Sequence, residues 1–202
     1  MKEKVLNLLK STKRDGMDRL IEYMEDNGFF TAPCSGGHHL AKEGGLLEHS
    51  LNVYESMEKM AAKLCGNFME ISSAYRELKD SIIICALLHD LGKIGDFGKP
   101  NYVPNMIKDG RPTKAEPEQK YKQSESKPYK TNSGLLYEPH EVRSVKIASR
   151  FIDLTEDEEF AILMHNGPEG VFRYEIKGKE TPLYLLLHFA DMWASRVIEK
   201  GE

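Results

Sequence analysis

The run at residues 82–91, IIICALLHDL, is apolar everywhere except at His89 and Asp90. A helix that is apolar on nearly all sides has to lie at the centre of a core. Whatever this chain folds into is therefore arranged around that helix, with an imidazole and a carboxylate where it finishes. A buried carboxylate without a partner is costly enough to be driven neutral. Either the pair caps and solvates the helix end, or it holds something there. The other polar residues in apolar company decide between these.

Helical spacing recurs on both sides of the central run. The first ~30 residues carry Val5, Leu6, Leu8 and Leu9, then Met17, Leu20, Ile21 and Met24, and read as helix up to a stop at Asn27-Gly28. A Gly-, Pro- and Ser-rich loop, FFTAPCSGGHHLAKEGG, follows. A second helix is expected from about Gly45, with Leu46, Leu47, Leu51, Val53, Met57, Met60 and Leu64, and a third over 73–91. Residues 95–138 interrupt the pattern with five prolines and many lysines. Loops of that length in compact domains are functional or disordered. Within this one, YVPNMIKDGRPT fits a β-hairpin turning at Asp109-Gly110. Helix resumes over 140–152. Thr155 with Glu158 is a capping box for the next helix, which Asn166-Gly167-Pro168 ends. VFRYEIKGKE reads as hairpin or loop, and Thr181-Pro182 opens the last helix, LYLLLHFADMWASRVIE. The expected fold is all-α: one domain over 1–202, with 95–138 as an insertion loop or lid between the third and fourth core helices.

Composition excludes more than it assigns. A formal net charge of -4 and a pI near 6.0 offer no general attraction to nucleic acid or anionic membrane, although a local basic patch is compatible with them. No apolar run approaches the ~20 residues of a membrane span, and the charged N-terminus is unlike a signal peptide. Cys34, Cys65 and Cys85 show no CxxC spacing, and Cys85 reads as a small buried hydrophobe. A cytoplasmic setting is expected.

Seven histidines, His38, His39, His49, His89, His140, His165 and His188, are spread over these elements. His49 lies among leucines in GGLLEHSLNV, and Asp191 is embedded in LLLHFADMW. Neutral imidazoles by themselves satisfy neither Asp90 nor Asp191, whereas one divalent cation satisfies all of them, at about 2.0–2.2 Å from His N and Asp O. His49, His89, Asp90 and Asp191 therefore read as a metal site built from three helices. Mixed imidazole and carboxylate donors suit Fe, Mn, Co, Ni or Zn better than Ca.

The ordered set H…HD…D in an all-helical chain resembles the HD superfamily of metal-dependent phosphohydrolases, in particular members with two further histidines placed as His140 and His165 are. GGLLEHSLNV, LLHDLGK and LLLHFADMW, with the His38-His39 pair upstream, are similar to the HD domain of bacterial 3′–5′ exoribonucleases that join an OB-fold to it. The likeness covers roughly 30–95 and 140–195. It implies an HD-type helical bundle, one metal on His49, His89, Asp90 and Asp191, and a second on His140 and His165 with Asp90 bridging. Two features depart from the pattern. Asn166 stands where binuclear relatives often have a second His, leaving its amide oxygen to contribute or the second site weaker. Residues 1–30 are too few and too helical for the OB-fold, so processive action on long RNA is not expected.

The expected chemistry is hydrolysis of a phosphate ester by metal-activated water. Lys93, three residues after Asp90, would set an ammonium on the developing phosphoryl charge. In the resembling family that lysine sits on the phosphate side, which favours a phosphodiester in a nucleotide or short oligonucleotide. Asp90 and Lys93 are the expected catalytic residues, with Lys93, His39 and Asn166 on the substrate. One or two divalent transition-metal ions are the expected cofactor, and a phosphorylated small molecule, not a membrane, the expected partner. Each residue also has a plainer reading: His49 as a packed core histidine, His165 and Lys93 as charges at helix C-termini, His188 as packing or as an orienting neighbour, the 114–130 lysines as a solvated loop. Competing functions are a non-catalytic nucleotide sensor, a nucleotide 5′-monophosphatase, and an interaction protein with a closed structural metal.

Overall fold

The computed structural model describes residues 1–64, 73–114 and 117–200; Cys65 lies outside them, and Cys34 and Cys85 are buried and free. Seven α-helices occur among the described residues: α1 (Lys2–Ser11), α2 (Met17–Asp26), α3 (Gly45–Leu64), α4 (Ser73–Leu88), α5 (His140–Ala148), α6 (Glu156–Met164) and α7 (Pro182–Trp193). The apolar run is the hub. Ile82 to Leu88 are all buried, and α4 packs against α1, α3, α6 and α7. No helix among the described residues is long and apolar enough to cross a membrane.

Several boundaries differ from the sequence expectation. The first 30 residues form two helices rather than one. The chain breaks before Gly16, which takes φ +83° and lies so close to Phe151 that an added Cβ would fall 1.9 Å from its carbonyl oxygen. α4 stops at Leu88, leaving His89 and Asp90 in a turn before a short 3₁₀ segment, Leu91–Ile94. α5 ends at Ala148, and α7 runs into a π-helical segment, Ala194–Ile198.

The insertion is built on antiparallel strand pairs. β1 (Gly95–Asp96) pairs with β2 (Lys99–Pro100), β3 (Tyr102–Pro104) with β6 (Tyr129–Thr131), and β4 (Met106–Lys108) with β5 (Tyr121–Gln123). The short hairpin at Asp109-Gly110 does not form. It would set Pro112, which has no N–H, into the ladder; the chain instead closes the arm farther on, with Asp109 N donating to Lys120 O at 2.9 Å. Between Tyr129 and Gln123 the return strand holds more residues than its partner does between Pro104 and Met106. The arm is rooted in the bundle by Asp96, which accepts from Arg150 (2.9 and 2.5 Å), Tyr23 (3.2 Å) and its neighbour Phe97 N (2.8 Å). The Arg150 hydrogen bonds hold the Asp96 carboxyl down at about 2.

The Thr155–Glu158 capping box forms as its spacing implies. Glu158 does more than cap: its buried carboxylate accepts from Arg14 (2.5 and 3.1 Å) and from Ser81 (2.7 Å), tying the α1–α2 link and α4 to the start of α6. Removing one partner of a buried pair leaves the other uncompensated. Glu158→Ala is therefore expected to lower unfolding free energy in urea by about 3 kcal/mol, against less than about 0.5 kcal/mol for Glu156→Ala on the exposed face of the same turn. Equal effects would contradict this role.

Candidate functional site

His89 and His165 are held in the same way. Each lies just past a helix C-terminus, where the last carbonyls lack helical partners, and each donates Nδ1–H back to one of them: His89 to Ala86 O at 3.0 Å, His165 to Ile162 O at 2.7 Å. A carbonyl only accepts, so both rings are left with a bare lone pair on Nε2. His49, on α3, donates Nδ1–H to the Glu199 carboxylate at 3.0 and 3.1 Å. His140 opens α5 with Nδ1 3.2 Å from Glu141 Oε2.

Glycines allow these ends to meet. A Cβ on Gly45 would come 2.1 Å from Leu40 O, so only glycine admits the 34–40 loop against the start of α3. A Cβ on Gly92 would come 2.2 Å from His140 O. Gly92 N instead donates to Ser144 Oγ (2.8 Å), whose hydroxyl donates to His140 O (2.8 Å), and this seats the turn carrying Asp90 against α5. His188 lies over Gly167 and donates Nδ1–H to His165 O at 2.8 Å, so it fixes the His165 backbone and is not in the cluster itself.

The result is a buried group of acceptors facing one another. Nε2 of His49 lies 3.4 Å from Nε2 of His89, and Nε2 of His140 lies 3.3 Å from Nε2 of His165. Asp191 Oδ1 is 3.2 Å from His49 Nε2. Asp90 stands between the pairs, with Oδ2 3.5 Å from Nε2 of both His49 and His89 and Oδ1 3.2 and 3.6 Å from His140 and His165. Asp90 Oδ1 is buried and accepts no hydrogen bond.

Protonation answers only part of this. Burial works against charge on His49, but Cys34, Asp191 and Glu199 override it and raise its pKa well above the ordinary value; a proton there satisfies Asp191. His165 goes the other way: burial, then the neighbouring His89, push it down to about 4. His89 is lowered too, again by burial first. Asp191 titrates well below the usual carboxylate range because the hydrogen bond from His49 outweighs its burial. The neutral imidazole of His165 therefore still confronts the unpaired oxygen of an ionised Asp90. Donor atoms of His49, His89 and Asp191, and of His89, Asp90 and His165, gather closely enough to hold a metal ion, and their chemistry fits one.

All six residues expected at the cluster are thus brought together, and three residues expected on substrate line its approaches. Above it opens a cleft of about 780 Å³. Lys93 is 2.6 Å from Asp90 Oδ2 and faces this cleft, and the amide of Asn166 is 3.4 Å from His140 Nε2. His39 packs behind His49, its Nε2 3.3 Å from Cys34 Sγ and 3.8 Å from Glu199. His38 is exposed at the rim. Arg196 also reaches the cleft, paired with Glu169 at 2.6 Å.

Sequence reasoning missed Glu199 and Cys34. Glu199 also accepts from Asn52 at 2.9 Å, and it reaches His49 only because the π-helical segment resets the register after Asp191; nothing in VIEKGE announces that. Cys34 had a visible signal, its closeness to His38-His39, but cysteine spacing alone did not use it.

A family model for the HD domain matches residues 46–191, which take in the six cluster residues but neither Glu199 nor the 34–40 loop. No curated protein and no solved structure matches the chain. HD domains bind divalent metals, and partners that orient a ligating histidine typically govern 10–100-fold in affinity. Glu199→Gln is accordingly expected to weaken divalent-ion binding about tenfold in a chelator competition; unchanged affinity would show that Glu199 does not orient His49 for an ion.

Proposed function

The chain belongs to the HD-domain family, and from that premise we propose that it is a metal-dependent phosphohydrolase that cleaves a phosphodiester in a nucleotide or short oligonucleotide. The observation that carries this reading is the unpaired, buried Asp90 Oδ1 among lone pairs, under a cleft open to solvent. His49, His89, Asp90 and Asp191 would hold one ion, and His140 and His165, with Asp90 shared, a second. The donor set suits Fe, Mn, Co, Ni or Zn. A divalent ion held there would supply Lewis acidity, enough to lower the pKa of a water towards about 7.

The chain's own residues do the rest. Backbone carbonyls and carboxylates hold the Nδ1 protons, so the Nε2 lone pairs stay aimed inward without reorganising. Burial would discharge Lys93, but Asp90 beside it holds its pKa well above the ordinary value, so the ammonium persists at the cleft floor to meet developing phosphoryl charge. Asn166 and His39 would contact substrate from opposite sides of the cluster. Asn166 offers an amide where an imidazole would bind a metal more tightly, so a second ion would be the weaker-held of the two.

The test is metal analysis of protein purified without chelator, then bis-p-nitrophenyl phosphate screened against mononucleotides. Turnover should follow metal content, favour the diester, and fall at least about 100-fold in Asp90→Ala. Full turnover in that variant would overturn the mechanism.

A further inference from the structure

The base of the insertion arm is pressed onto the glycine loop beside the cluster. Tyr129 N donates to Gly36 O at 3.0 Å, and a Cβ on Gly37 would come 2.9 Å from Lys127 Cγ. Gly36-Gly37 is therefore the dipeptide that lets the arm close against the loop carrying His38 and His39. Along this seam lies a recess of about 300 Å³, lined by Gly36, Gly37, Ser126, Lys127, Lys130 and Thr131. His38 and Tyr102 line both this recess and the cleft over Asp90, so the two are immediate neighbours.

The chemistry of the recess favours one kind of occupant. Lys93, Lys122 and Lys146 each have a carboxylate partner, whereas Lys127 and Lys130 have none among the described residues. The N–H groups of Gly36 and Gly37 likewise have no acceptor among the described residues. Two unneutralised ammonium groups, two free backbone donors and the hydroxyls of Tyr102, Ser126 and Thr131 make a surface of donors with no carboxylate lining it. That suits an anion with several acceptor oxygens. It occurs on a chain whose net charge is -4, so the positive charge is local to this wall.

We propose that this recess binds a second phosphate of the substrate, so that the insertion arm selects a dinucleotide or short oligonucleotide carrying a terminal phosphate in addition to the diester that is cleaved. The inference rests on the phosphodiesterase reading above and deepens it. A nucleoside monophosphate has a single phosphorus group and cannot reach the cluster and the recess together. A dinucleotide with a terminal phosphate presents two, joined by a sugar that would pass Tyr102 and His38. Lys127 and Lys130 are then specificity residues, acting on substrate far from the reacting atoms.

The test compares 3′–5′ diadenosine with and without a 5′-phosphate, as the ratio of kcat/KM for the two in the wild-type protein and in the Lys127→Gln, Lys130→Gln double variant. Using the ratio within each protein cancels differences in folded fraction or metal content. The phosphorylated dinucleotide is expected to be favoured at least about tenfold by wild type, as charge-assisted hydrogen bonds allow, and the double variant should bring the ratio close to one. A wild-type ratio near one, or a ratio that survives the double substitution, would overturn the inference. Hydrolysis of bis-p-nitrophenyl phosphate with neither dinucleotide cleaved would overturn it too, while leaving the phosphodiesterase reading intact. Hydrolysis of none of the three with any divalent ion would remove both.

Discussion

Lone pairs turned towards one another in a dry interior are the constraint on which this molecule depends. Water would relieve them at the surface, but His49, His89, Asp90 and His165 are almost wholly shielded from it. Coulomb effects that are slight in water are large there, so the arrangement persists only if it is locked from behind and answered from within. The lock is visible. Ala86 O, Ile162 O and Glu199 each take an Nδ1 proton, and two of those acceptors are carbonyls of the last helical turns. The fold thus turns an ordinary liability of helix termini into the device that orients imidazoles.

The rest of the bundle serves to bring those ends together. α4 delivers His89 and Asp90 from the centre of the core, and Gly92 lets the following turn touch α5, where His140 begins. Glu158 ties the far end of α6 to α4 and to the α1–α2 link, which fixes the helix that ends at His165. The insertion leaves the bundle immediately after this turn, anchored by Asp96 on Arg150, and returns directly to His140. It therefore starts and finishes at the cluster, and its base forms a wall of the approach.

What could be read in the sequence follows from how local each cause is. The central helix, the starts of α3 and α7, the capping box and His49, His89, Asp90 and Asp191 show in short-range pattern: an apolar run, a Thr-Pro, a histidine among leucines, an aspartate inside LLLHFADMW; His140 and His165 were expected from the family resemblance alone. What was hidden depends on contacts between distant residues. The break at Gly16 is set by Phe151, the end of α4 by the seating of Gly92 on α5, and the arm's pairing by strands separated by long stretches of chain. Glu199 was invisible because a π-helical segment, which sequence pattern does not encode, turns it onto His49.

The most direct test of the central claim is anomalous diffraction from crystals grown with Mn²⁺. The account predicts a strong peak among His49, His89, Asp90 and Asp191, with Asp90 Oδ1 no longer lacking a partner. Those side chains closed on one another by direct hydrogen bonds, with no anomalous density between them at saturating Mn²⁺, would contradict it.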